Sequence, residues 1–142
     1  MKTFVSDSSA NALNQNTQCN TYSFSSSLND AFLSKTYGSN MSFCQKMFKI
    51  FIDSAQSDMD KLASSVKSND FTEIKSIAHK IKNNFTWVGL PKLSEQMYNI
   101  ENLARNQESG IQQKYNELND SFRTAFEQVT AEYDSIVKYL EK

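Results

Sequence analysis

His79 sits in the run Lys75-Ser76-Ile77-Ala78-His79-Lys80-Ile81-Lys82 and is the only histidine among 142 residues. A histidine-based metal cluster needs more than one imidazole, so that chemistry is not on offer. What a single exposed imidazole can do is act as a nucleophile or move a proton. It titrates near pH 6.5 and presents a neutral ring nitrogen just above neutrality. If the run is helical, Lys75 (four before) and Lys82 (three after) share its side, where their charge can offset an incoming phosphoryl group. The chain has no Gly-rich phosphate loop, which argues against an autonomous ATP-using kinase. The competing reading is a histidine that merely decorates a solvated helix face.

The helix that must carry this run has its own stripe, Ile74, Ile77, Ala78, Ile81, Phe85 and Val88, spanning an arc of about 100°. His79 falls roughly 150° from the middle of that arc. It therefore points away from the core, beside Thr72, Lys75, Ser76, Lys82, Asn83 and Thr86. Trp87 also lies off the stripe, as an anchor for an interface or as a side chain covered by the amino-terminal segment. Asp70 and Glu73 open this helix at capping-box spacing, and Gly89 closes it.

The remaining elements follow from the same periodicity. A short helix over 28–37 ends at Gly38, taken as a left-handed terminator. Ser39 or Asn40 caps a long second helix with Cys44, Met47, Phe48, Phe51, Ile52, Ala55, Met59, Leu62, Ala63 and Val66 on its apolar side. Asp58 and Asp60 are read as exposed, solvating carboxylates of that helix. Pro91 starts a fourth helix, because a missing N–H costs nothing in a first turn; Leu93, Met97, Ile100 and Leu103 form its stripe. After a break over 106–110 the last helix carries Ile111, Tyr115, Leu118, Phe122, Phe126, Val129, Tyr133, Ile136 and Leu140. Met41 and Phe43 seal one end of the bundle or add to a docking surface.

With 3 glycines and 1 proline the chain is too poor in turn formers for a β protein. The expected fold is all-α: an antiparallel up-down four-helix bundle over 28–142, with a short additional N-terminal helix, preceded by a flexible polar tail over 1–27. Phe4, Val5, Tyr22 and Phe24 could dock locally within that tail. A net charge of −1 gives no basic surface for nucleic acid. No stretch approaches the roughly 18 apolar residues of a membrane span, and the amino-terminal run lacks the apolar core of a signal peptide, so a cytoplasmic setting is expected. Cys19 and Cys44 have no metal or redox spacing and read as ordinary free thiols.

Ala78-His79-Lys80-Ile81-Lys82 followed by Val88-Gly89-Leu90 resembles the signature of histidine-containing phosphotransfer (HPt) domains. The likeness extends to Phe48–Ala55, to Asn69-Asp70, and to the stretch from Leu93 to Glu101-Asn102-Leu103-Ala104. It implies a phosphorelay intermediate that exchanges a phosphoryl group with an aspartate of a response-regulator receiver domain. His79 then matches the phosphoacceptor, Lys82 the basic residue beside the phosphate, and Gly89 a helix-ending glycine. Lys75, Asn83, Thr86 and Trp87 join as binding residues on position alone. No cofactor is implied; Mg²⁺ belongs to the partner receiver, and a hybrid sensor kinase is a further partner. The expected molecule is a monomer that binds neither nucleic acid nor membrane. Asn83 departs from the pattern, which has a small residue, typically glycine, four after the histidine. The departure leaves open an HPt-like module that docks a receiver or kinase without taking phosphate.

Overall fold

A computed structural model describes residues 22–142. Phe4, Val5 and Cys19 lie outside the described residues. Five helices follow in order: α1 (Asp30–Tyr37), α2 (Met41–Lys67), α3 (Phe71–Trp87), α4 (Pro91–Arg105) and α5 (Ile111–Leu140). α2 packs on α3, α3 on α4, α4 on α5 and α5 back on α2. Consecutive helices joined by links of a few residues must run antiparallel, so the four close into an up-down bundle, with α1 laid against α2.

The stripes meet in one core. Phe48, Leu62, Ile74, Phe85, Met97, Ile100, Leu118 and Ile136 are fully enclosed, each such side chain stabilising the fold by about 1.5–3 kcal/mol. Phe51 and Phe85, 6.0 Å apart, face Phe126 and Phe122 across the bundle, with ring centroids 6.3 and 6.2 Å apart. Cys44 is among the enclosed residues, and burial, with the negative charge of Glu132, pushes its thiol up to about 12.

Helix ends follow the expected chemistry with one exception. Asn29, Asn40 and Asp70 cap α1, α2 and α3, each side chain accepting from a backbone N–H three residues on. α3 ends in a Schellman motif: Leu90 N–H donates to Phe85 O at 2.9 Å and Gly89 N–H to Thr86 O at 3.1 Å, with Gly89 at φ 78°. α2 and α4 end the same way with Asn69 and Gln107 in the left-handed position, both at φ 54°. Gly38 is the exception. Its φ of −54° is right-handed, and a Cβ there would lie 2.4 Å from the Ser34 carbonyl oxygen. Glycine serves close approach at that corner rather than handedness.

One further expectation is corrected. Asp58 is not a solvating carboxylate: it is only 4% exposed and pairs with Lys80 of α3 at 3.2 Å. It lies between Ala55 and Leu62 on the inner face, and apolar neighbours bury it whatever its charge. Asp60 is exposed, as expected. Of the residues that could dock locally ahead of residue 28, Tyr22 and Phe24 do so. Phe24 is buried, Tyr22 packs edge-on against Phe24 and Tyr139, and its hydroxyl donates to the buried Glu132, which also accepts from Ser25 N–H at 3.1 Å. Burial, and then the Glu132 carboxylate, hold the Tyr22 phenol well above its usual range. Among the described residues no helix is long and apolar enough to cross a membrane.

Candidate functional site

His79 stands mid-way along α3 with its side chain 57% exposed, facing solvent as the helical wheel requires. Its backbone is fixed by neighbours on either side, Ala78 and Ile81, both buried. The ring is not free, however. Its Nδ1 lies 3.0 Å from Glu101 Oε2 on α4. Glu101 occupies the inner row of α4 in step with Leu93 and Met97, and only 3% of it is exposed. A carboxylate so placed must be paired to stay charged. Lys82 supplies one partner, its Nζ 2.8 Å from Oε1, and Arg105 another, its Nη2 3.1 Å from Oε2.

These contacts act on the Glu101 carboxyl. Burial pushes the Glu101 carboxyl up, but hydrogen bonds from Lys82 and His79, and the charge they carry, outweigh it and hold the carboxyl below its ordinary value. An ionised carboxylate only accepts hydrogen bonds. The facing Nδ1 must therefore carry a proton, and whenever the ring is neutral its lone pair is on Nε2. Lys82 Nζ lies 3.5 Å from the same Nδ1; both atoms are donors, so that approach adds charge beside the ring rather than a hydrogen bond.

Lys82 is itself held in place. Its ammonium lies 5.2 Å from the centroid of the Tyr98 ring, within reach of a cation–π attraction. Its carbonyl lies 3.2 Å from both Thr86 Oγ1 and Ser94 Oγ, and those two hydroxyls are 2.9 Å apart. Three oxygens thus share two hydroxyl protons, tying the start of α4 to the last turns of α3. Beside Lys82 a cleft of about 340 Å³ opens between Phe32, Thr86, Pro91 and Tyr98.

The residues singled out from sequence divide accordingly. His79 and Lys82 are brought together, but through Glu101. Thr86 braces the Lys82 backbone. Lys75 and Asn83 are exposed on α3 and take no part in the Glu101 cluster. Trp87 is 41% exposed and leans on Phe32, 6.5 Å between centroids. Its carbonyl accepts from the buried Tyr37 hydroxyl at 2.9 Å. Met41 is buried, whereas Phe43 beside it is 45% exposed. Sequence reasoning gave no role to Glu101, Arg105, Ser94 or Tyr98. For Glu101 a signal existed: a carboxylate in step with an apolar stripe. Among the described residues no group of His, Cys, Asp and Glu side chains is arranged to hold a metal ion.

Comparison with known proteins returns one finding. The sequence model of the Hpt domain matches residues 46–136, the span from the first turns of α2 to the last turns of α5. No curated protein and no solved structure matches the chain. A match over well more than half of the chain, on a bundle that presents one exposed histidine between two helices, fixes the relationship: the chain belongs to the Hpt domain family, whose members serve phosphotransfer in two-component phosphorelays with receiver domains and kinases.

Proposed function

We propose that this protein is a phosphorelay intermediate that takes a phosphoryl group on His79 Nε2 from an aspartate of a receiver domain, or returns it there. The observation that carries the reading is the hydrogen bond of the exposed His79 ring, through Nδ1, to an ionised Glu101, which in the neutral ring puts the lone pair on Nε2. Nε2 attacks phosphorus in line; the N–P bond forms as the acyl O–P bond breaks, and the electron pair leaves with the receiver aspartate. The Nδ1 proton stays on its bond to Glu101, whose negative charge offsets the positive charge arriving on the ring. Lys82 is close enough to turn its ammonium toward the equatorial oxygens. The receiver supplies Mg²⁺ and binds as the partner, directly or as part of a hybrid kinase. A cytoplasmic setting and a monomeric state go with this reading.

Trp87, Tyr98 and Phe43 are 41%, 47% and 45% exposed, and partly exposed aromatics of this kind suit an interface. Asn83 and Thr86 lie on the approach to Nε2, one and two turns along the same face. Asn83 also favours a second reading, a module that docks a receiver or kinase without accepting phosphate, because its side chain stands where the family usually leaves room.

The test is to mix the chain with phosphorylated receiver domains and follow the phosphoryl group. Acid-labile label on the wild type and none on His79→Gln is the expected result. Receiver binding without any transfer, relieved by Asn83→Gly, would favour the docking module instead.

A further inference from the structure

Under that reading Lys82 has two tasks that compete. In the resting protein its ammonium is the donor to Glu101 Oε1, at 2.8 Å. During transfer it must turn toward the phosphoryl oxygens beyond the ring. Its long, flexible stem allows the movement, but Oε1 then loses its donor. Glu101 is almost wholly buried, and a buried carboxylate that loses a partner rotates away or takes a proton. Either change would release Nδ1 just when the ring needs it held.

Arg105 is placed to prevent this. Its Nη2 reaches Oε2 at 3.1 Å, the same oxygen that takes His79 Nδ1 at 3.0 Å. It sits one turn beyond Glu101 on α4, so the contact does not depend on any movement between α3 and α4. The guanidinium stays charged at any working pH, and Nη1 donates to Asn102 Oδ1, which fixes its plane. An ion pair between neighbouring turns ordinarily contributes little when both partners are in water. Here one partner is not: the Glu101 side chain is 5% exposed against 49% for Arg105.

We infer that Arg105 is a positioning residue that keeps the Glu101 carboxylate against His79 Nδ1 while Lys82 serves the phosphoryl group. The inference rests on His79 being the phosphoacceptor, and it concerns how the ring is held rather than what attacks.

The single histidine makes the test clean, because ring signals from the ¹⁵N-histidine-labelled chain of 142 residues have one source. Wild type, Lys82→Ala, Arg105→Ala, Lys82→Ala/Arg105→Ala and Lys82→Ala/Arg105→Lys are compared, with circular dichroism confirming that each is folded. The Nδ1–H tautomer is expected to persist in the wild type and in both single variants. It is expected to collapse toward the free-imidazole mixture in the double alanine variant, and to return with Arg105→Lys. Phosphoramidate then serves as a chemical donor, ammonia leaving as the Nε2–P bond forms. Arg105→Ala alone is expected to slow that labelling about threefold to tenfold, the size of a pair with one buried partner. If the double variant keeps the tautomer of Lys82→Ala, or if Arg105→Ala labels at the wild-type rate, Arg105 is a surface ion pair and the inference is overturned alone. If His79→Gln is labelled as fully as the wild type, the acceptor reading falls and takes the inference with it.

Discussion

At the scale of the residue, the arrangement around His79 turns on Glu101, which joins His79, Lys82 and Arg105. Sequence reading singled out His79 and Lys82 from a lone histidine with lysines on its side of one helix and from the resemblance to HPt domains. It passed over Glu101 because the contact crosses from α3 to α4, and spacing along one helix says nothing about which face of another will meet it. Removing Glu101 should therefore damage transfer more than fold. Glu101→Ala is expected to lower the transfer rate about tenfold to a hundredfold, the worth of a hydrogen bond to a charged group. Glu101→Gln keeps an acceptor for Nδ1 but not the charge, and should fall between alanine and wild type in the same assay. Stability should depend on pH through this group. An unfolded glutamate titrates near pH 4.3, whereas the folded Glu101 carboxyl lies lower. Between those two values the unfolded chain takes up a proton that the folded one refuses, so this stabilisation is present above the window and lost as pH falls through it. Urea midpoints measured from pH 6 downward should fall less steeply for Glu101→Gln than for the wild type.

At the scale of the element, most of the architecture was open to a reader of the sequence, since helix ends obey local rules. Asn40, one of two candidates, and Asp70 cap as the pattern allowed, and Gly89 stops α3 as expected, at a φ of 78°. Its surroundings were not legible. The Asn29 N–H donates to Gly89 O at 2.8 Å, and a Cβ on Gly89 would lie 2.9 Å from Leu33 Cδ1, so this turn is where α1 is fastened to the bundle. Gly89→Ala should cost more than the roughly 1 kcal/mol of its backbone strain alone, with a lower thermal midpoint as the readout. Gln107 presents the reverse case: a side chain occupies a left-handed position at φ 54° in an exposed turn. Gln107→Gly should stabilise the protein by about 0.5–1 kcal/mol, and a lower urea midpoint would contradict that account of the α4 terminus.

At the scale of the whole molecule, three carboxylates sit on inner faces and each joins parts of the chain that are far apart in sequence. Asp58 ties α2 to α3 through Lys80, Glu101 ties α4 to α3, and Glu132 ties α5 to Tyr22 and Ser25. A reading by residue type takes each as solvated. A reading by position shows all three on apolar stripes, and that was the missed signal. Docking of Tyr22 and Phe24 was left open by the sequence, because residues 22–27 look polar while Tyr22 and Ser25 find their partners on α5. Phe24→Ala should therefore destabilise the bundle by about 3 kcal/mol, as for a buried aromatic, without changing the His79 ring signals. Trp87 is the only tryptophan and is 41% exposed. Its fluorescence should change on receiver docking, and Trp87→Ala should weaken docking about tenfold with little loss of stability.

The most direct measurement is to locate the phosphoryl group on the ring. The chain is labelled with ¹⁵N-histidine, phosphorylated by a receiver domain or by phosphoramidate, and read for ¹⁵N–³¹P coupling. A phosphorus coupled to Nε2, with the proton retained on Nδ1, is the result this account requires. Phosphorus on Nδ1, or a stable acid-labile label elsewhere in the chain, would mean that Glu101 does not choose the nucleophilic nitrogen.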